Sequence, residues 1–139
     1  MTIPFEYQCA SIEFEQFLLD ARDISGLATT NMAWNMVVGV LHTFRRRLPV
    51  PDALRFANVL PPVLRAVFVA DWDAGEPQRP FDDRATMTRE VQALRAAHNF
   101  SPETAIRDVA QALRRHVDGA GLERVLATLP AGARDYWAV

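Results

Sequence analysis

Three consecutive arginines, Arg45, Arg46 and Arg47, followed by Arg55 and Arg65, form the densest set of charged groups in the chain. Residues 42–65 hold these five against one acid, Asp52, a local balance of +4. Guanidinium is a fork-shaped donor matched to phosphate and carboxylate, so Arg45, Arg46, Arg47 and Arg55 are a candidate anion or partner patch. A plainer reading stands beside it, because cations in the last turn of a helix are stabilised by the helix dipole by about 0.3–1 kcal/mol each. Residues 71–83 have the opposite character, with Asp71, Asp73, Glu76, Asp82 and Asp83 against Arg79, a balance of −4. Asp71, Trp72, Asp73 and Glu76 make a candidate acidic partner loop. Its oxygens do not fit an EF-hand. Counted from Asp71, Gly75 falls fifth, Glu76 sixth and Asp82 twelfth, where that loop wants an oxygen ligand, glycine and glutamate. Asp82 or Asp83 is better placed to cap the helix that follows.

The remaining groups give no catalytic set. His42, His98 and His116 lie on different segments, with no HExxH pattern and no cysteine pair beside them. His98 continues an apolar stripe and His116 lies in a last helical turn, so both read as core-edge or helix-end histidines. Cys9 is the single cysteine, which excludes an intramolecular disulfide and any multi-cysteine metal site. No nucleophile elbow, Gly-rich phosphate loop or dinucleotide fingerprint is present, and Gly119-Ala-Gly121 reads as a helix C-cap and turn. Trp34, Trp72 and Trp137 could line a pocket between helical layers, although large aromatics at helical spacing usually fill a core. No catalytic, cofactor-binding or metal-ligating residue is assigned, and no cofactor is expected.

The elements that must position these groups are helical throughout. The chain has 139 residues, half of them hydrophobic, which suits one domain with one core. Phe14, Phe17, Leu18, Ala21 and Ile24 fall on one face of a helix over 12–25. Ala33, Trp34, Val37, Val38, Leu41 and Phe44 do so over 30–47, with Thr29 as N-cap. Short helices follow over 52–60 and 62–70, divided by Leu60-Pro61-Pro62. After the loop at 71–83, Met87, Val91, Leu94 and His98 share a face. Ser101-Pro102-Glu103 then reads as a helix start, with Ser101 as N-cap and proline in the first turn. Ala105, Ile106, Val109, Leu113 and Val117 carry the next helix, a short one spans 121–128, and a last segment follows Leu129-Pro130.

The two halves match each other. Arg55, Phe56, Leu60-Pro61, Arg65 and Phe68 meet Arg124, Val125, Leu129-Pro130, Arg134 and Trp137 at a constant offset of 69. Thr29, Ala33, Val37 and Leu41 meet Ser101, Ala105, Val109 and Leu113 at 72, and Phe14, Leu18 and Ala21 meet Met87, Val91 and Leu94 at 73. The expected architecture is all-α, a single helical globule of about eight segments formed by two homologous halves packed face to face. Residues 1–10 form an N-terminal arm and 11–139 one domain, with repeat 1 at about 12–70, an acidic linker at 71–83 and repeat 2 at about 84–137.

FxxFL near the start, an Ala-containing helix ending in LxxxRRRL, a short helix running into LPPVLR, an aspartate-tryptophan loop and a second copy closing on LATLP carry a resemblance. Over about residues 11–137 the chain resembles the bacterial family catalogued as domain of unknown function 2267. The resemblance implies an all-helical bacterial protein and supplies no catalytic residue.

The net charge of −2 argues against a general polyanion binder. With no apolar run of membrane-spanning length, no leader pattern and one cysteine, a cytoplasmic setting without membrane partners is expected. The reading that follows is a non-enzymatic helical module for protein–protein interaction or oligomerisation, its +4 and −4 stretches meeting across copies or a partner. An alternative is a protein that binds an apolar or anionic small molecule in a pocket between the two halves. Nucleic-acid binding through Arg45–Arg47 is a third and weaker reading, because the candidate recognition helices are apolar and Ala-rich.

Overall fold

The computed structural model describes residues 2–139, and among them it contains nine α-helices and no strand. The helices are α1 (Phe5–Gln8), α2 (Ala10–Ser25), α3 (Thr30–Arg45), α4 (Val50–Ala57), α5 (Pro62–Val69), α6 (Arg84–Ala93), α7 (Ala105–Arg114), α8 (Gly119–Leu126) and α9 (Ala133–Tyr136). None is long and apolar enough to cross a membrane.

Helix α3 is the spine, because its apolar residues run almost all the way round and it must therefore be covered on every side. Met36, Val37, Val40, Leu41 and Phe44 are buried, and α2, α5, α6 and α7 all pack on it. The Thr29 hydroxyl starts the helix by accepting from Met32 N at 3.2 Å. Gly39 lets α6 approach, since a Cβ there would lie 2.9 Å from the Val91 carbonyl oxygen. Around the far end of α3, Phe44, Phe56, Phe68, Tyr136 and Trp137 form an aromatic core. Phe44 and Phe56 meet edge to face at 4.7 Å, while Phe56 and Trp137 stack at 5.5 Å. The buried Tyr136 hydroxyl donates to Val40 O at 2.6 Å, and burial pushes its ionisation well above the ordinary phenol range.

Several local expectations change. Within the expected N-terminal arm, Phe5–Gln8 form α1, which leads into α2 at Ala10. The stripe Met87–Val91–Leu94–His98 breaks, because α6 stops at Ala93 and Arg95 turns left-handed at φ 50°. The Asn99 amide donates to Val91 O and Leu94 O, both at 2.8 Å, and so completes carbonyls that a longer helix would have used. His98 is exposed as a result. Ser101 does not cap α7, because Asn99 Oδ1 engages its backbone N–H and hydroxyl; α7 begins only at Ala105. Gly119-Ala-Gly121 opens a helix instead of ending one, with Asp118 as N-cap of α8. Residues 71–83 contain no helix or strand, and Asp83 caps α6 through Thr86 N at 2.7 Å. The connector is tied to the end of α3, since Arg79 N donates to Arg46 O at 2.9 Å and Gln78 Nε2 to Arg47 O at 3.1 Å.

Candidate functional site: a groove beside helix α5

Arg45 and Arg47, the two ends of the arginine run, point into the protein, each only 4% exposed. Arg45 Nη1 donates to Phe68 O at 2.7 Å and Ala70 O at 2.9 Å, so its charge faces the negative end of α5. Its guanidinium lies 5.3 Å from the centre of the Trp72 ring, a cation–π distance. Burial, and then repulsion from Arg46, lower its pKa from the usual arginine value. Arg47 donates to Thr43 O at 2.8 Å and pairs with Glu90 at 2.7 Å. Arg46 is half-buried between Glu90 at 3.2 Å and Glu76 at 3.9 Å, and Arg79 reaches the same two acids. Arg55 pairs with Asp52 on its own helix.

The basic and acidic stretches therefore meet within one chain, through Arg46–Glu76 and Arg45–Trp72. Glu90, the partner that unites Arg46, Arg47 and Arg79, was not among the sequence candidates. It lies on α6, and no spacing rule links it to the arginines. In the acidic loop, Asp73 Oδ1 accepts from Gly75 N at 3.0 Å, an Asx turn that uses it locally. Among the described residues no three His, Cys, Asp or Glu side chains gather as a metal centre would require. The tryptophans do not share one pocket: Trp137 is core, Trp72 covers Arg45 and Trp34 borders a groove.

Two grooves flank α5. One, of about 360 Å³, runs between α2, the start of α5 and the segment after α7. It contains His116, whose Nε2 lies 2.6 Å from Asp20 Oδ2 and whose ring stands edge-on to Phe17. The other, of about 300 Å³, lies between α3 and α5 and is mostly apolar, with walls from Trp34, Val38, Val67 and Ala66. Val63 borders both, and Phe14 of the first meets Trp34 of the second edge to face at 5.8 Å.

The α3–α5 groove has three polar groups. His42 is buried in its wall, with Nε2 2.8 Å from Val67 O. A carbonyl oxygen only accepts, so Nε2 carries the proton. Desolvation, followed by the nearby charges of Arg45 and Arg46, lowers the histidine pKa and keeps the ring neutral. Asp71 and Arg95 lie at the rim. These two are the only non-glycine residues with left-handed backbone among those described, at φ 54° and 50°. Such backbone costs of order 1 kcal/mol or more and gathers at ligand sites and switches. Neither side chain has an ion-pair partner within 4.0 Å among the described residues, although thirteen other charge pairs do.

A family model described as an uncharacterized conserved protein, DUF2267, matches residues 14–136. The chain belongs to the DUF2267 family. No curated protein matches it in sequence. Every residue of the α3–α5 groove falls inside the span matched to DUF2267, whereas α1 lies outside it. The DUF2267 description carries no activity, so function is argued from the site. Sequence reasoning singled out Trp34 as a core or pocket aromatic and Asp71 as part of an acidic partner loop, and it did not single out Ala66, Ala70 or Arg95. The small residues Ala66 and Ala70, one helical turn apart beside an apolar run, were the available signal.

Proposed function

We propose that this protein binds a small, mostly apolar molecule in the groove between α3 and α5. The observation that carries the reading is the convergence there of an apolar cleft, a buried histidine and the two left-handed rim residues Asp71 and Arg95. Its volume suits a molecule on the order of eight to fifteen heavy atoms. Ala66 is exposed on the groove wall, so Ala66→Trp fills the space without touching the core. Apolar compounds of this size are expected to raise the melting temperature of the native chain and to leave that of Ala66→Trp unchanged. Equal shifts in both proteins would place the binding elsewhere.

A second reading, protein interaction or self-association, draws support from a different surface. Ile3, Phe5, Tyr7 and Ile12 are all exposed at the N-terminal end, Phe5 by 74%. Sedimentation velocity should show a concentration-dependent assembly that Phe5→Ser with Ile12→Ser abolishes; a native monomer at high concentration would count against it. Burial of Arg45 and Arg47 counts against nucleic-acid binding through the arginine run. The duplication inferred from the matched halves belongs with these proposals. It is supported by reciprocal packing, α2 against α7 and α3 against α6, with α4 against α8.

A further inference from the structure

We propose that the α3–α5 groove selects a neutral ligand carrying a hydroxyl group, an alcohol or phenol, whose O–H donates to His42 Nδ1 while its apolar body lies against Trp34, Val38 and Ala66. The inference rests on the groove being a ligand site and adds what that site recognises.

The tautomer supplies the first step. With Val67 O occupying the Nε2 proton at 2.8 Å, the neutral ring has one free hydrogen-bonding position, the lone pair on Nδ1. Among the described residues no group donates to that atom, and it is not among the side-chain nitrogens sealed from solvent without a partner. His42 itself lines the apolar cleft, and its Nδ1 acceptor is unused by the described residues.

Charge then separates the ligand classes. A carboxylate brings only acceptors, so it meets the Nδ1 lone pair with its own and must give up its water in an apolar cleft, while Arg95 and Asp71 at the rim act on it in opposite senses. An ammonium group must also give up its water there, and the positive charges of Arg45 and Arg46 that act on His42, with Arg95 at the rim, outnumber Asp71. A purely apolar molecule fits the walls but displaces water from Nδ1 and leaves that acceptor unpaired. A hydroxyl satisfies it at no charge cost. Discrimination of about tenfold in Kd between a hydroxyl compound and its hydrogen-bearing analogue is the expected scale for one such hydrogen bond.

The test uses the whole chain with 4-ethylphenol, ethylbenzene and 4-ethylbenzoate as probes, followed by NMR with ¹⁵N-labelled histidine. Ethylphenol should bind about tenfold more tightly than ethylbenzene, with ethylbenzoate weakest, and should move the His42 Nδ1 resonance. Ethylbenzene should leave that resonance near its free position. Ala66→Trp should abolish the response. Reading the nitrogen directly avoids relying on His42→Phe, which would orphan Val67 O and risk unfolding. Equal affinity for ethylphenol and ethylbenzene, or a still Nδ1 signal, would overturn hydroxyl selection while leaving the groove as a ligand site. Binding of none of the three probes would overturn both.

Discussion

His42 and Arg47 show how burial changes what a side chain means. In sequence His42 is one of three histidines without a metal-binding context, and in the fold it is a buried ring of lowered pKa in the wall of a groove. Its lowered pKa has a direct consequence for stability. Below about pH 6.5 the unfolded chain takes up a proton at this position before the folded chain does. Stability contributed by the neutral ring is therefore present above about pH 6.5 and is lost as pH falls towards the lowered folded value. Urea unfolding of the native chain and of His42→Gln between pH 7 and pH 5 should show a steeper loss in the native chain. Parallel curves would contradict it. Arg47 raises the complementary issue, a buried cation whose carboxylate partner is on another helix. Glu90→Gln removes that charge from Arg46, Arg47 and Arg79 together and should cost about 1–3 kcal/mol, read as a shift in the urea midpoint. A cost near zero would mean that carbonyl bonds alone suffice for Arg47.

At the scale of elements, α3 was legible because its pattern is local. Thr29 is read from its position and does cap the helix. Gly39 is not legible, since nothing in its neighbours says that another helix will press against it. Replacing it with alanine should improve intrinsic helix propensity by up to about 1 kcal/mol, yet it forces a Cβ against the backbone oxygen of Val91. The steric effect should win, with a net loss of about 1–2 kcal/mol in urea unfolding; a more stable Gly39→Ala protein would show that α6 can yield. The end of α6 was misread for a related reason. Periodicity carried the stripe on to His98, but Asn99 folds its amide back onto the α6 carbonyls, and that bond becomes visible only once the chain has turned at Arg95. Gly119 and Gly121 misled in the same way. Glycine beside Asp118 suits a turn, but the aspartate side chain accepts from Ala120 N and starts α8 there.

For the whole molecule, internal pairing of the charged stretches changes what association should look like. If opposed patches on separate copies drove assembly, added salt would screen and weaken it. The exposed N-terminal row Ile3, Phe5, Tyr7 and Ile12 predicts the reverse, assembly that persists or strengthens when ionic strength rises, since apolar contacts are not screened. Sedimentation at low and high salt distinguishes the two, and dissociation by salt would return the charged stretches to the interface.

The sequence by itself determined the all-helical class, most helix spans and the faces that form the core. Each of these depends on residues within a few turns of one another, and helical periodicity records that range. Only the tertiary structure decided which charges remain at the surface. Arg47, just past the end of α3, and Glu90 on α6 are joined because α3 and α6 pack together, and the rotation of each helix about its axis is set by packing with all its neighbours. The groove has the same origin. Trp34, Ala66 and Arg95 belong to three separate segments, and no local pattern reports the space left between them.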